Sequence, residues 1–433
     1  MLVRGVPPPT PVPASLADAA GQRKVDTPAM PAPTPDDALA ADARAAEDAL
    51  AAGARAVVER LRGAGFAALW AGGAVRDQVM GLAPKDYDIA TDAEPEQVAA
   101  LFERSVPVGA QFGILRVIHA GHEYEVARFR AEGPREDALH RDFTLNGLLY
   151  DPVADELIDH VGGLADIAAR RLRACGGDPE GRFGEDWLRI LRGVRFAARF
   201  DLAIEPRTWV AMAREAQQVL SASAERRRDE LSRILTEGAG GRGFALLAEL
   251  GLDRALLPEV SDPARARARL ERLGAAAEDV GWAVLGYDWG DPAETAAALG
   301  RRLKLPTRLA RRIGAIVALA RALPGYPALT VAQRKRWTRD EASGDALRVA
   351  AIAVAANQAP AAGWRAATED AGRWSPGELR PAALVDGRDL AAAGHAPGPI
   401  FKLLLDAIED AQLEGHVRTR PEALALAERL AGA

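Results

Sequence analysis

The first third of the chain alternates between stretches with helical spacing and short apolar runs. Three stretches predict helices: 38–63, 74–81 and 95–104. Four short runs predict strands: 66–70, 86–91, 112–120 and 122–130. The last two runs meet at Gly121 and predict a hairpin. We therefore expect one small mixed or antiparallel sheet, with helices around it, between about residues 65 and 130.

Beyond about residue 175 the strand signals disappear. The remaining sequence is rich in Ala, Leu, Arg and Glu, and Gly and Pro interrupt its helical pattern without a fixed repeat period. The predicted fold class is therefore α+β, with a sheet-containing N-terminal region followed by a long all-α portion. The N-terminus differs again, because nine prolines in its first 35 residues favour a disordered leader over a signal peptide.

Composition narrows the range of proteins to which the chain can belong. At ~150 residues per domain, a length of 433 residues favours about three domains. The single cysteine, Cys175, excludes an internal disulfide and suits a reducing cytoplasm. No apolar run approaches the ~20 residues that a membrane-spanning helix needs. The net charge of -6 disfavours a nucleic-acid binder only weakly, because basic clusters at 225–233, 301–312 and 334–339 can still form a basic groove.

The sequence DYD in the predicted strand 86–91 is the first candidate for chemistry. Alternate side chains of a strand share a face, so Asp86 and Asp88 point together while Tyr87 and Ile89 point into a core. Two carboxylates this close repel each other unless a cation lies between them. Mg²⁺ prefers oxygen ligands and keeps waters for a substrate phosphate, so the pair suits a two-metal transfer site. Alone, such a pair is more often a solvated strand edge.

Gly72 and Gly73 lie between a predicted strand and a predicted helix. Backbone N–H groups at such a turn can face an anion without hindrance from a side chain. Arg76, on the first turn of the helix, can reach the same phosphates. A Gly-Gly pair alone is more often a plain tight turn, so its meaning depends on the rest of the chain.

The two segments together, G-G-x-V-R-D and D-x-D-x-A-T, resemble the signature of the class II tRNA nucleotidyltransferase and bacterial poly(A) polymerase family. HRDFTLNGLLYDP (140–152) resembles the second motif of that family, with His140 in place of the usual first Arg. We expect a helix here that places Asp142 and Asn146 on one face. The resemblance implies that Arg141 and Asp142 contact the ribose and help to bind the nucleotide.

A third segment, GRFGEDWLRILRGVRFAARF (181–200), resembles the nucleotide-recognition motif E-D-x-x-R of the same family. As one continuous helix it would carry a polar stripe of Glu185, Arg189 and Arg192. The resemblance implies that Asp186 and Arg189 present hydrogen-bonding groups to the Watson–Crick edge of the incoming base. Glu185 would hold Arg189 in place.

The resemblance also implies a division of the chain into five parts. A helix at 224–235 resembles part of the neck of family members and is interpreted as a structural buttress. The five parts are a Pro-rich disordered leader (1–37), a nucleotidyltransferase catalytic head (38–175), a helical neck with the nucleotide-recognition helix (176–240), a helical body (241–325) and a helical, RNA-binding tail (326–433).

The activity implied by the resemblance is template-independent addition of CCA to the 3′ end of tRNA from CTP and ATP. Asp86 and Asp88 would hold two Mg²⁺ ions, and Glu125 is a further catalytic candidate at a strand position near them. The helices would clasp the tRNA acceptor stem by its shape and backbone charge, in the cytoplasm. The implied nucleotide-binding residues are Gly72, Gly73, Arg76, Arg141, Asp142, Glu185, Asp186, Arg189 and Arg192.

Three alternatives to CCA addition stay open at this point. They are poly(A) synthesis from ATP, addition of only the terminal A or only CC, and an inactive helical RNA-binding protein. The segment 108–130 is closer to tRNA-repairing family members than to poly(A) polymerases, and the intact D-x-D and E-D-x-x-R sequences argue against an inactive protein. No histidine occurs between residues 161 and 394, so a histidine-rich phosphohydrolase domain is not expected in the body.

Overall fold

The computed structural model describes residues 35–108, 113–395 and 398–431. The chain divides into two units, Met1–Ala49 and Leu50–Ala433. Of the first unit, only residues 35–49 are described, and they form the first half of helix α1 (Pro35–Gly63). Nearly all of the predicted leader therefore lies outside the described residues, as does residue 112 at the start of one predicted strand.

The strands of the described chain form one large mixed sheet and one small parallel sheet. They are β1 (Ala68–Ala71), β2 (Asp88–Thr91), β3 (Ser105–Pro107), β4 (Ile114–His119), β5 (His122–Arg128), β6 (Leu148–Asp151), β7 (Glu156–Asp159), β8 (Arg171–Leu172) and β9 (Ala203–Ile204). The large sheet has the order β3-β4-β5-β2-β1-β6-β7. Its central β2–β5 pair is parallel and its other pairs are antiparallel, whereas β8 and β9 form the small parallel sheet.

Helices dominate the described chain after β8. The remaining helices are α2 (Gly73–Val79), α3 (Pro95–Leu101), α4 (Pro134–Leu139), α5 (Gly163–Ala168), α6 (Pro179–Glu185), α7 (Leu188–Arg199), α8 (Pro206–Glu215), α9 (Ala224–Thr236), α10 (Gly240–Glu249), α11 (Leu252–Leu256), α12 (Pro263–Leu270), α13 (Glu278–Leu285), α14 (Pro292–Leu303), α15 (Thr307–Ala322), α16 (Val331–Thr338), α17 (Ser343–Ala355), α18 (Ala361–Arg373), α19 (Pro376–Leu379), α20 (Gly387–Ala392), α21 (Pro399–Leu413) and α22 (Arg420–Ala431). Short 3₁₀ turns occur at Thr144–Asn146, Ala216–Ser221, Gly286–Asp288 and Leu323–Ala328. None of the helices in these ranges combines the length and apolarity needed to cross a bilayer.

The two faces of the large sheet carry separate apolar clusters. Val57 and Leu61 of α1 are buried in one cluster together with Tyr87 and Ile89. Ala90 belongs to a smaller cluster on the opposite face. Because side chains alternate along a strand, Asp88 lies on the same face as Ala90 and points away from α1. The predicted division between core residues and carboxylates along DYD is thus present, although β2 begins at Asp88 and Asp86 precedes the strand.

A larger apolar core holds the helices together. It extends along the chain from Phe143 to Ala367 and includes Tyr326. A separate small cluster runs from Val385 to Ala427. Tyr326, at the predicted start of the tail, is buried with the earlier helices. All the predicted domain boundaries, including the one at 326, stay predictions.

Two parts of the large sheet differ from the predictions. The helix predicted at 95–104 ends at Leu101, because residues 105–107 pair with β4 as the edge strand β3, a position that tolerates Pro107. Strands β6 and β7 are absent from the predictions, and β6 pairs with both β1 and β7. β9 also lies beyond residue 175, where no strand is predicted.

Two segments predicted as single helices are broken. Residues 140–146 form no α-helix, because Phe143 is extended (φ −130°, ψ 152°) and bridges Ala174, leaving only the 3₁₀ turn at Thr144–Asn146. The segment 181–200 consists of two helices, α6 and α7, separated at Asp186, whose backbone is extended (φ −159°, ψ 102°). The first break directly follows a predicted site residue, Asp142, and the second lies at one, Asp186.

Candidate active site

A cleft of about 620 Å³ is lined by residues from the large sheet, the 3₁₀ turn after α4, and helices α7 and α9. It brings together ten of the twelve predicted site residues; only Glu125 and Glu185 do not line it. The ten are Gly72, Gly73, Arg76, Asp86, Asp88, Arg141, Asp142, Asp186, Arg189 and Arg192. Arg and Lys side chains outnumber Asp and Glu along its walls by ten to six, so the cleft favours an anionic ligand.

The turn between β1 and α2 needs glycine because of Arg141. Gly72 has a positive φ of 73°, a backbone conformation that residues with a Cβ atom rarely adopt. A Cβ at this position would lie 2.6 Å from Nη1 of Arg141. The helix that follows has only seven residues, so its dipole contributes little. The main consequence of Gly72 is therefore that a guanidinium can lie directly against the turn.

Asp86 and Asp88 reach the cleft from the segment that enters β2. Asp86 is exposed and Asp88 is half-buried, and neither carboxylate forms an ion pair with an Arg or Lys of the described residues. Burial, followed by the charges of Asp86 and Glu125, raises the pKa of Asp88 to about 6. The guanidinium groups of Arg141 and Arg192 oppose this shift without cancelling it. A carboxylate pair whose repulsion persists in this way fits a divalent metal ion.

The available carboxylates suit a Mg²⁺ ion that is shared with a substrate, and not a metal ion whose ligands all come from the protein. No group of three or more His, Cys, Asp or Glu side chains is arranged to hold a metal within the described ranges. Mg²⁺ commonly binds through one or two carboxylates and completes its shell with water and substrate phosphates. Glu125 is the strand partner of Asp88 in the β2–β5 register, but it lies 3.7 Å from Arg116 and outside the cleft wall. Its catalytic role stays a prediction.

Asp142 connects the sheet region to α7. Its carboxylate accepts hydrogen bonds from the backbone N–H of Phe143 (2.8 Å), the amide of Asn146 (2.9 Å) and Nε of Arg192 (2.7 Å). The amide oxygen of Asn146 in turn accepts from Nη1 of Arg76 at 2.7 Å. Burial alone would raise the pKa of Asp142, but the charge of Arg192 and these hydrogen bonds lower it well below its usual range. Asp142 therefore stays ionised and fixes the orientation of Arg192.

Arg189 is held by three acceptors. Its Nη1 donates to Oε2 of Glu185 (2.8 Å) and to the carbonyl of Arg182 (2.8 Å), and its Nη2 donates to the carbonyl of His140 (3.3 Å). The pair expected on one continuous helix thus forms, although α6 ends at Glu185 and Arg189 lies on α7. The guanidinium has one orientation before any ligand arrives.

Asp186 faces the cleft from the break between α6 and α7. One of its oxygens accepts from the backbone N–H of Leu188 at 3.2 Å, which helps to start α7. Both oxygens pair with the guanidinium of Arg226 on α9, at 3.2 and 2.6 Å. From the sequence, helix 224–235 is interpreted only as a structural buttress. The contact between Arg226 and Asp186 is therefore not predicted by the sequence. A base that hydrogen-bonds to Asp186 must share it with Arg226 or displace Arg226.

Comparison with known proteins places this geometry in a family. The family model described as "Poly A polymerase head domain" matches residues 68–173, and that described as "Probable RNA and SrmB- binding site of polymerase A" matches 201–262. The CCA-adding enzyme of Geobacillus stearothermophilus is 31% identical over 393 residues, covering 84% of this chain and 93% of that protein. The chain belongs to the family of CCA-adding enzymes. The CCA-adding enzyme of Levilactobacillus brevis is 30% identical over 397 residues, with 86% and 95% covered.

A solved structure extends the similarity to the whole fold. The crystal structure of the Bacillus stearothermophilus CCA-adding enzyme in complex with CTP matches with a TM-score of 0.73 at 30% identity. The match covers 88% of this chain and 97% of the other. The predicted family and the predicted α+β architecture, with a mixed sheet followed by helices, are therefore confirmed.

Several cations that line the cleft of this chain are not among the site residues predicted from the sequence. On α7, Arg195 lies three residues after Arg192 and Arg199 lies four residues after Arg195, which places all three on the same side of the helix. That spacing is visible in the sequence and could have identified them. Nε of Arg195 donates to the buried carboxylate of Glu230 at 2.7 Å. The other additional cations are Lys85, Arg130, Arg226 and Arg233.

Replacing Arg192 by Ala is expected to lower the free energy of unfolding by ~2 kcal/mol at pH 7. The substitution leaves the buried carboxylate of Asp142 without its cation, and the full cost of breaking a buried pair, ~3–5 kcal/mol, is reduced because the Arg192 side chain is 33% exposed. Urea unfolding measures the change. Arg214→Ala is the matched control, because it breaks an ion pair with Glu180 in which both side chains are more than half exposed, and should cost under ~1 kcal/mol. Equal losses in the two variants would contradict a buried pair at Asp142.

Proposed function

We propose that this protein adds C, C and A in order to the 3′ end of tRNA, using CTP and ATP and releasing pyrophosphate. The observation that carries this proposal is that one cleft contains both an unpaired carboxylate couple, Asp86 and Asp88, and the pair Asp186 and Arg189. The first couple suits metal-bound phosphates and the second suits the edge of a base. Membership of the CCA-adding family over most of the chain supports the same activity.

The base end of the cleft complements C and A. Both bases place an amino donor beside a ring-nitrogen acceptor on the Watson–Crick edge, whereas U and G place a carbonyl acceptor beside an N–H donor. A carboxylate accepts from the amino group and a guanidinium donates to the ring nitrogen. Asp186 and Arg189 supply this combination, and the fixed orientation of Arg189 makes it selective without a nucleic-acid template.

The phosphate end is built from restrained guanidinium groups. Arg141 is oriented by Asp137, whose Oδ2 accepts from Nε at 2.9 Å, and Arg192 is oriented by Asp142. Guanidinium groups held in this way bind phosphate oxygens with little loss of side-chain entropy. Asp86 and Asp88 would hold two Mg²⁺ ions, which when bound lower the pKa of the RNA 3′-hydroxyl and neutralise charge on the triphosphate.

The RNA is proposed to lie over the helices beyond α9. Four cations near the end of α14 and the start of α15 are exposed and form no ion pair within the described residues: Arg301, Lys304, Arg308 and Arg311. Such cations suit contacts with the tRNA backbone, which should weaken steeply with salt. We also propose that the protein acts in the cytoplasm, where its substrates occur.

The deciding experiment incubates the purified protein with tRNA that lacks its 3′ end, with Mg²⁺ and with each of the four nucleotides separately or together. Sequencing of the products should show C, C and A added in order from CTP and ATP, and no extension with UTP or GTP. A tRNA that already ends in CC should accept only A.

The same assay separates the remaining candidates. Long A tracts from ATP alone would indicate a poly(A) polymerase, and extension by only CC or only A would indicate a specialised enzyme. No extension of any RNA end by folded protein would leave an RNA-binding role. A reaction without protein controls for contaminating activity in the tRNA.

A further inference from the structure

Two phenyl rings, one on α7 and one on the residue that follows it, lie beneath the cationic wall of the cleft. Phe196 and Phe200, called here the ring pair, stack with their centroids 6.1 Å apart and their planes 14° apart. Arg76, which comes from α2, has its guanidinium carbon 5.3 Å from the centroid of Phe196 and 4.7 Å from that of Phe200. Arg76 is almost fully buried, so it has little contact with water to compensate for the charge.

Three more guanidinium groups share the same rings. Arg195 lies 4.3 Å and Arg192 lies 5.4 Å from the centroid of Phe196. Arg199 lies 4.8 Å from the centroid of Phe200. Each distance is within the ~6 Å range of a cation–π contact. Together with Arg76 these three residues form the cation set, and all four line the cleft.

The guanidinium groups of the cation set lie close enough together to repel one another. Burial lowers the pKa of Arg76, and the hydrogen-bonded carboxylate of Asp77 opposes that shift only in part. The neighbouring charges of Arg199 and Arg195 lower the pKa of Arg76 further. Each guanidinium group also has a carboxylate partner: Asp77 for Arg76 (2.6 Å), Asp142 for Arg192 (2.6 Å), Glu230 for Arg195 (2.7 Å) and Glu237 for Arg199 (3.5 Å). The ring faces add a second attraction to that of these carboxylates.

Carboxylates and ring faces hold a guanidinium in different ways. A carboxylate neutralises the cation, so a phosphate must compete with it for the same charge. The face of a phenyl ring attracts and orients the cation through its quadrupole but leaves its net charge intact. The ring faces therefore help to orient the four cations without neutralising them beyond what their carboxylate partners do.

We propose that the ring pair is a positioning element for nucleotide binding, which holds the cation set in place for the triphosphate before the nucleotide arrives. The rings themselves do not touch the reacting atoms. This inference rests on the proposed function, because it takes the cleft to be a nucleotide site.

An ordinary packing role would not need aromatic faces at these positions. Phe244 on α10 belongs to the same apolar core and is 1% exposed, close to the 2% of Phe196. No Arg or Lys in the described part of the chain lies over the ring of Phe244. Phe244 therefore provides a control with the same residue type and burial but without cations.

Phe196→Leu should weaken binding of CTP by about five- to tenfold, corresponding to about 1 kcal/mol for lost cation–π contacts. Binding is measured directly with Ca²⁺ in place of Mg²⁺ so that no turnover occurs, and KM and kcat are measured with Mg²⁺. The KM for CTP should rise by the same factor, while kcat and the KM for tRNA change less than twofold. Phe244→Leu should lower the melting temperature similarly and leave CTP binding within twofold of wild type.

A fluorination series separates the ring face from packing. Mono-, di- and trifluorophenylalanine introduced at position 196 keep the shape of the ring and weaken its attraction for cations stepwise. The dissociation constant of CTP should increase with each fluorine, while the melting temperature should fall less than in Phe196→Leu because the packing of the ring is kept. The proposal would be overturned if the dissociation constant of CTP did not change across the fluorinated variants. Equal loss of CTP binding in Phe196→Leu and Phe244→Leu would also overturn it.

Failure of the inference can be distinguished from failure of the proposed function. If the wild-type protein extends tRNA with CCA but its CTP binding ignores fluorination, the ring pair is only part of the core. If CTP binding follows the series but no RNA is extended, the ring pair positions the cations and the proposed reaction is wrong. If the wild-type protein does not bind CTP at all, both are overturned.

Discussion

Replacing Asp88 by Asn is expected to abolish nucleotide addition and, without divalent metal, to make the protein more stable at neutral pH. Activity should fall on the order of a thousandfold or more, at least as much as for loss of a single transition-state hydrogen bond. The gain in stability follows from the pKa of Asp88, which is raised to about 6. The same carboxylate that is needed for the reaction is therefore costly to the metal-free fold.

The direction of the pH effect follows from proton binding. An Asp in the unfolded chain has a pKa of about 3.9, so between about pH 4 and 6 the folded protein binds more protons at Asp88 than the unfolded chain. Stability therefore falls as the pH rises through this range, and the ionised Asp88 destabilises the fold above it. A shift of about two units corresponds to ~3 kcal/mol, and since water in the open cleft screens the charge we expect Asp88→Asn to gain ~1–2 kcal/mol at pH 7.5.

Urea unfolding at pH 4 and pH 7.5, in EDTA and in excess Mg²⁺, measures the effect. The gain of Asp88→Asn should vanish at pH 4, and Mg²⁺ should stabilise the wild type more than the variant. Glu123→Gln is the control, because this carboxylate is 61% exposed on neighbouring strand β5 and its removal should change stability by under ~0.5 kcal/mol. A folded Asp88→Asn protein that retains activity would remove Asp88 from the proposed metal site.

Local sequence patterns are sufficient to predict elements whose stabilising contacts are near in sequence. The hairpin β4–β5 and the strand–turn–helix at Gly72 are of this kind, and so is the burial of Tyr87 and Ile89 opposite Asp88. Asp142 and Asn146 are in contact although the helix predicted at 140–146 is wrong, because the amide of Asn146, at the end of the 3₁₀ turn, donates to the carboxylate of Asp142. The spacing predicted the contact although it did not predict the backbone.

The elements that local sequence patterns fail to predict are those whose conformation depends on contacts between segments distant in sequence. Phe143 is extended because it bridges Ala174, and β6 is a strand because β1 and β7 flank it. A single sequence carries no periodicity that records such pairings. The break at Asp186 is of the same type, since the helical spacing of 181–200 favours one helix and the partner of Asp186, Arg226, lies 40 residues further along.

The candidate site shows the same limit at the level of side chains. Its residue types and their local order could be predicted, and ten of the twelve predicted residues line one cleft. The partners that orient them could not, because Arg192 is held by Asp142 and Arg195 by Glu230, at separations of 50 and 35 residues. These long-range pairs make the site a rigid arrangement.

Replacing Arg189 by Ala is expected to relax the choice of nucleotide more than it slows addition. The variant loses the donor that would pair with the ring nitrogen of C or A, so the N–H of U or G no longer meets an opposing donor. A hydrogen bond to a charged group contributes ~1.5–3 kcal/mol, so the preference for CTP and ATP over UTP and GTP should fall by about ten- to a hundredfold. The ratio of kcat/KM values for the four nucleotides measures this, and kcat for CTP should fall by less than the ratio.

Two companion variants test whether selectivity depends on how Arg189 is held. Glu185→Gln removes the charge that orients Arg189 but leaves a hydrogen-bond acceptor, so it should relax selectivity in the same direction by a smaller factor. Arg226→Ala releases Asp186 without touching Arg189, so it should change the KM for CTP and ATP together and preserve discrimination against UTP and GTP. Unchanged selectivity in Arg189→Ala would contradict base reading by this side chain. Relaxed selectivity in Arg226→Ala would instead show that Arg226 itself contributes to base reading. In that case the carboxylate of Asp186 would need Arg226 to hold it in the position where it meets the base.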